Sequence, residues 1–283
     1  MNPRIESLRS QGDLRECEEL QRRVWGMEDR EVVPHHILTG IQKHGGLLLG
    51  AYEGDDMVGF LFGFDGEHRG KRCHYSHMCG VVDERRFSGV GYELKLRQRE
   101  FTISKGLKLV TWTFDPLEGA NAYFNFHKLG VISDTYIPNY YGEIKDALNK
   151  GVDTDRLLVE WWIESPRVAK NLEKGPPTED EEDLVAPVVN STEYGSGRVL
   201  KTTAYDLDLE APALLLEIPE NIQEVKGKSM ELARNWRSAT GTLFQSYLRR
   251  GYVVADFLSK REEGRRRNFY ILRRAEKSEV LES

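Results

Sequence analysis

Apolar residues recur at three- and four-residue steps through Leu14, Cys17, Leu20, Val24 and Trp25, and a second such stretch runs from His35 to Lys43. That spacing lines one face of a helix, so two helices are predicted, Asp13 capping the first and Gly45-Gly46 closing the second. Around them the pattern shortens to apolar runs at Ile5 to Leu8, Leu47 to Tyr52 and Met57 to Phe64. Runs of this length predict strands, and Glu53-Gly54-Asp55-Asp56 joins the last two as a hairpin. After a polar loop from Asp65 to Arg72 come a third strand of this meander, Cys73 to Val82, an amphipathic helix, Tyr92 to Lys105, and another strand, Leu107 to Phe114. A strand, helix, strand order makes a right-handed parallel crossover, here beside an antiparallel hairpin.

Further on, a helix from Ala120 to Leu129 is stopped by Gly130, and strands near Val131 to Tyr136 and Leu157 to Glu164 flank the tyrosine-rich loop Pro138 to Gly142. Residues 171–195, with Gly175-Pro176-Pro177 and the acid run Glu179 to Asp183, carry little apolar content and read as a linker. Beyond them Ala213 to Ile218 predicts a strand, Ser229 to Arg249 a helix, and Gly251 to Leu258 with Asn268 to Leu272 a hairpin. The expected organisation is therefore a domain over 1–170, a linker over 171–195 and an α/β segment over 196–283. Phe126 and Tyr247 each stand four residues before a glycine that ends a helix and starts a strand. The C-terminal segment is thus either a degenerate half-copy of the first domain or an instance of a common helix-to-strand transition.

At 283 residues the chain exceeds a typical domain, in keeping with that division. A net charge of −6 argues against a general nucleic-acid binder, and no apolar run reaches membrane-spanning length. Met1-Asn2-Pro3-Arg4 does not open a signal peptide, and three cysteines without a paired framework fit a reducing compartment. A cytoplasmic protein is expected.

The most informative stretch is Ser76 to Gly91, a strand running into Arg86-Phe87-Ser88-Gly89-Val90-Gly91 and then a helix. The first amides of a helix lack intrahelical acceptors and the macrodipole is positive there, so a pyrophosphate can accept several N–H groups at once. Leu94 stands where a Rossmann fingerprint needs its third glycine. The order Arg-x-x-Gly-x-Gly after Val81-Val82-Asp83-Glu84 instead resembles the acetyl-CoA signature of GNAT N-acyltransferases. The phrases Ser76-His77-Met78, Trp112-Thr113-Phe114-Asp115-Pro116-Leu117, Asn121 to Asn125 and Lys128-Leu129-Gly130 resemble a subgroup of predicted acetyltransferases in that family.

The resemblance implies an α/β fold with a mixed α+β sheet, the GNAT acyl-CoA N-acyltransferase fold, and acyl transfer from acetyl-CoA or another acyl-CoA to a primary amine, with no metal. Association of some relatives with N-acylamino-acid racemases or o-succinylbenzoate synthases implies an amino-acid amine. The partner is then a small-molecule amine, with neither membrane nor nucleic acid, and a homodimer is left open. By the same resemblance, Arg86, Phe87, Ser88, Gly89, Val90 and Gly91 hold the pyrophosphate, main-chain groups of Val81 and Val82 hold the pantetheine arm, the Val81 amide polarises the thioester, and Asn121 contacts CoA, with a helix-start role as its alternative. A non-catalytic CoA-binding module is the alternative.

For the amine's proton, His77 stands four residues before Val81, which period-two alternation puts on one strand face. It is either the base or a packed strand histidine. The thiolate acid departs from the family pattern, because Phe126 occupies the tyrosine position of the second hallmark. Tyr123, one turn earlier, is the nearest substitute, with a packing role as the alternative. Asp115 either orients the amine or fixes the turn before Pro116. Cys73, His77 and Cys79 would share a strand face, a poor metal site. Arg265-Arg266-Arg267 makes a basic hairpin tip, and Trp161-Trp162 either lines a pocket or packs.

Overall fold

A computed structural model describes residues 3–86, 88–142, 151–176, 185–195, 199–262 and 264–282. Phe87 and the acid run Glu179 to Asp183 lie outside the described residues. The described residues up to Trp112 form one compact unit and those from Thr113 on form another.

In the first unit, β1 (Arg4–Ser7) precedes α1 (Gln11–Trp25) and α2 (His35–Lys43). Ser10, rather than Asp13, caps α1: the Ser10 hydroxyl accepts from the Asp13 amide, and the Asp13 carboxylate accepts from the Ser10 amide in return. The reciprocal pair satisfies two helix-end donors, which a lone cap at Asp13 would not do. Then come β2 (Leu47–Glu53), β3 (Asp56–His68), β4 (Lys71–Val81), α3 (Val90–Ser104) and β5 (Leu109–Phe114), whose last two residues belong to the second unit. The strand order is β1-β2-β3-β4-β5, antiparallel through β4, with β4 and β5 parallel. This is the expected mixed α/β class, with an antiparallel meander followed by one crossover. Leu14, Cys17, Leu20 and Leu38 from the helices pack with Leu48, Phe60 and Phe62, and Val90 and Leu94 of α3 join the same apolar cluster.

Along β4 the pairing slips once. Phe62 faces Met78 while Gly63 faces Ser76, so His77 is an extra residue without a β3 partner. A bulge of this kind reverses which face the following side chains take.

The second unit contains β6 (Ile132–Ile137), β7 (Arg156–Trp162), β10 (Ala213–Ile218), β11 (Tyr252–Glu262) and β12 (Arg265–Arg274), in the order β7-β6-β11-β12-β10. A separate hairpin, β8 (Asn190–Tyr194) with β9 (Leu200–Tyr205), escapes prediction because its polar sequence carries no apolar alternation. Residues 171–195 include the end of a helix, Pro166–Lys174, and the whole of β8. The helix expected over Ala120 to Leu129 is instead a short α-helical turn, Gly119–Ala122, followed by a π-helix, Tyr123–Lys128. The Leu129 amide reaches back five residues to the Phe124 carbonyl, a wider turn that often accompanies function. Helix Met230–Arg249, capped by the Ser229 hydroxyl, carries Arg237 to Asp115.

Candidate functional site

The turn before α3 is built as the sequence suggests. Gly89 has φ 91° and ψ −8°, a left-handed conformation that excludes most side chains, and no side chain caps this helix end. The Tyr92 and Glu93 amides donate to the Gly89 carbonyl at 3.0 and 3.1 Å. A methyl group on Gly89 would meet nothing within 4 Å, and one on Gly91 would meet only Val81 Cγ2, at 3.8 Å. Ser88 closes the turn, its hydroxyl donating to the Arg85 carbonyl at 2.6 Å. Arg85 is held by Glu53 at 2.5 Å, whereas Arg86 is half exposed and reaches Asp83 of its own turn at 3.3 Å. Uncapped amides, open space at a glycine and an exposed guanidinium make a donor set that fits a pyrophosphate, such as that of acyl-CoA.

Beside this turn the β4–β5 ladder is short. Its paired residues are His74 with Val110 and Tyr75 with Thr111. Further along β4 the Val82 amide donates to the Val58 carbonyl at 3.0 Å, and the Val82 carbonyl accepts from Arg85 at 2.9 Å. Val82 therefore has its amide engaged within the chain, and its carbonyl keeps one further lone pair for a ligand such as the pantetheine arm. In an antiparallel ladder, neighbouring residues turn their main-chain groups to opposite sides, so those of Val81 point away from β3.

The bulge also corrects the expected partnership of His77 with Val81. His77 lies against Phe62, Phe64 and Tyr75, with ring centroids 5.3, 6.0 and 5.9 Å away. Val81 instead faces Gly59, where an added methyl would meet Val90 of α3, so the two side chains occupy opposite faces. Cys79 pairs with Leu61 and joins the Val81 face, so Cys73, His77 and Cys79 do not share one. Among the described residues no group of three His, Cys, Asp or Glu side chains could hold a metal. His77 Nδ1 is buried without a hydrogen-bond partner, and burial pushes the imidazole below its ordinary value, which keeps it neutral at pH 7.

Sequence reasoning overlooks Lys95. Its ammonium donates to Ser76 Oγ at 3.0 Å and Gln98 Oε1 at 3.1 Å, and sits 3.6 Å from the centroid of the Trp112 ring. The residue is 3% exposed, and burial lowers its pKa to about 8. The available signal is a lysine on the buried stripe of α3, among Val90, Leu94, Gln98 and Thr102.

In the second unit Tyr123 is half-buried, its ring centroid 4.8 Å from that of His127, and His127 Nδ1 lies 3.3 Å from Asp256. Asn121 is exposed and stands inside the helical turn that Glu118 precedes, so it is not a helix cap. Phe126 is fully buried against Phe114 and Tyr270. Asp115 serves the turn, accepting from the Leu117 amide at 2.8 Å, and also accepts both terminal nitrogens of Arg237 at 2.7 and 2.5 Å. Burial works against its ionisation, but Arg237 and Arg156 outweigh that and hold the carboxyl below the usual range. Trp161 is buried, donating to the Leu129 carbonyl at 2.8 Å. Within the basic run, Arg267 is engaged by Glu217 and Glu262. No described helix is long and apolar enough to cross a membrane.

No protein-family model matches the chain, and no curated protein matches it. Solved structures do. The ribosomal-protein-S18-alanine N-acetyltransferase from Escherichia coli is 15% identical over 56% of this chain and 92% of that one, with a TM-score of 0.42. An acetyltransferase of the GNAT family from Streptococcus pneumoniae is 14% identical over 56% and 97%, at 0.45. Aminoglycoside 6'-acetyltransferase type Ii is 16% identical over 56% and 97%, at 0.44. Each of these acetyltransferases is what the chain is similar to over a little more than half its length.

Proposed function

We propose that the chain is a GNAT-type N-acyltransferase, moving an acyl group, acetyl in the simplest case, from acyl-CoA to the primary amine of a small molecule such as an amino acid. The observation that carries this reading is the uncapped start of α3 behind Gly89, where the methyl of any other residue would stand in open space. Arg86, Ser88, Gly89, Val90 and Gly91 would hold the pyrophosphate, all within the first compact unit. Bound acyl-CoA supplies a thioester carbon open to direct attack by an amine in a ternary complex. The Val81 amide, turned away from β3, donates to the carbonyl oxygen as it gains charge. His77 accepts the amine's proton, for which its neutral, desolvated ring is suited.

A second reading, a CoA-binding module without turnover, is favoured by Phe126, a buried ring with no proton to give at the family's tyrosine position. Thermal unfolding with and without CoA, run beside an assay of thiol release from acetyl-CoA with a panel of amino acids, separates the two. Stabilisation by CoA together with thiol release is expected. Stabilisation without release on any amine supports the second reading, and no stabilisation overturns both.

A further inference from the structure

The last ladder pair between β4 and β5 is Tyr75 with Thr111, and the next residue on each strand, Ser76 and Trp112, touches the Lys95 ammonium. The charge therefore sits where the two strands cease to pair. Among the described residues no carboxylate lies within 4 Å of it to form an ion pair. A buried ammonium held only by a hydroxyl, an amide oxygen and an indole face is costly to a fold, and it is the arrangement expected where a negative charge arrives during function.

We propose that Lys95 is the acid that protonates the departing thiolate, an assignment that rests on the acyl-transfer reading above. As the amine nitrogen bonds to the acyl carbon, the carbon–sulfur bond breaks and its electron pair goes to sulfur. Lys95 Nζ gives that sulfur a proton and becomes a neutral amine, His77 holds the proton taken from the attacking amine, and exchange with water resets both. This places a donor within the first unit, while Phe126, a residue of the second, has no proton to offer.

The groups around Lys95 favour the exchange. From β4 it faces Ser76, the Cys79 thiol, which burial keeps protonated, and His74, which burial lowers to about 4 and so keeps neutral. From β5 it faces Trp112 and from α3 Gln98. Asp65 of β3 lies beyond His74 and is bonded to Lys105 at 2.7 Å. With a pKa of about 8, the Lys95 ammonium is a stronger acid than a free cysteine thiol at roughly 8.5, so proton transfer from it to a thiolate runs downhill.

The test reads the ionisation of bound CoA in the full-length chain. Thiolate absorbance is followed against pH, with desulfo-CoA as the blank so that the protein's cysteines cancel. In the wild type the bound thiol is expected to ionise at least about one pH unit lower than in Lys95→Met, the size of shift a nearby opposite charge produces. Lys95→Arg keeps the charge, so it should keep the lowered thiol pKa while turnover falls at least tenfold, because arginine does not release its proton. A bound thiol that titrates like free CoA in the wild type, or identically in wild type and Lys95→Met, overturns the assignment of Lys95 and leaves acyl transfer standing. If Lys95→Met does not fold, the wild-type and Lys95→Arg titrations decide by the same criteria. Thiol release from no amine overturns acyl transfer and this assignment together.

Discussion

Gly89 and Gly91 should respond oppositely in stability and alike in binding when each is changed to alanine. Gly89 sits at φ 91°, where an L side chain costs about 1–2 kcal/mol, so Gly89→Ala should unfold earlier although its methyl has free space. Gly91 is the second residue of α3, with a positive φ absent and its nearest foreign atom at an ordinary 3.8 Å. Replacing a helical glycine there should stabilise by about 0.5–1 kcal/mol. The free variants thus differ by roughly 2 kcal/mol, several degrees in melting temperature for a unit of this size. Addition of CoA drops Gly91→Ala below the wild type and widens the deficit of Gly89→Ala. At a concentration one hundred times its Kd, CoA stabilises the wild type by about 2.7 kcal/mol, and a variant bound tenfold more weakly gains only about 1.4 kcal/mol. Thermal unfolding of the three proteins with and without CoA measures both quantities. A Gly91→Ala protein less stable than wild type would refute the helix-start geometry. Either variant retaining the full CoA shift would refute the cradle.

Asp115→Ala should destabilise the second unit by about 3–5 kcal/mol, because it strands the Arg237 guanidinium, whose side chain is 5% exposed; urea unfolding measures this, and a loss below about 1 kcal/mol would count against the buried pair. The acid limb of the rate profile should fall below pH 6.5 in the wild type, since burial lowers His77, and disappear in His77→Gln; an unchanged profile removes His77 as the base. His74 titrates at about 4 when folded and 6.5 when unfolded, so the unfolded chain binds more protons between those values and stability falls as pH drops through that window, by about 3 kcal/mol at most. His74→Gln should flatten this loss in unfolding measurements at pH 6.5 and pH 4.5.

Much of the first unit was legible because its elements carry strong local signals. The apolar steps of α1, the runs of β2 and β3, and the glycines after β4 each name their own structure within a few residues. The candidate site was legible in the same measure, since Gly89 takes a left-handed φ that its missing side chain permits and Gly91 leaves open space at the helix start. His77 was readable as a candidate but not in its orientation. Alternation assumes an unbroken ladder, and the extra residue at 77 turns it away from Val81 and turns Cys79 away from Cys73. The π-helix at Tyr123–Lys128 and the polar β8–β9 hairpin were equally hidden, because five-residue hydrogen bonding and solvent-exposed pairing leave no periodic apolar trace.

The mixed α/β class, the strand, turn, helix order at the candidate cradle, and the absence of a proton donor at Phe126 can all be read along the chain, because they depend on local conformation or on which atoms a side chain possesses. Folding settles the rest: which face His77 takes, that the Val82 amide is already engaged, that Asp115 meets Arg237 across 122 positions of chain, and that Lys95 lies buried where β4 and β5 stop pairing. Those are relations between residues distant in sequence, set by strand register and burial, and neither quantity is written in any single segment of the chain.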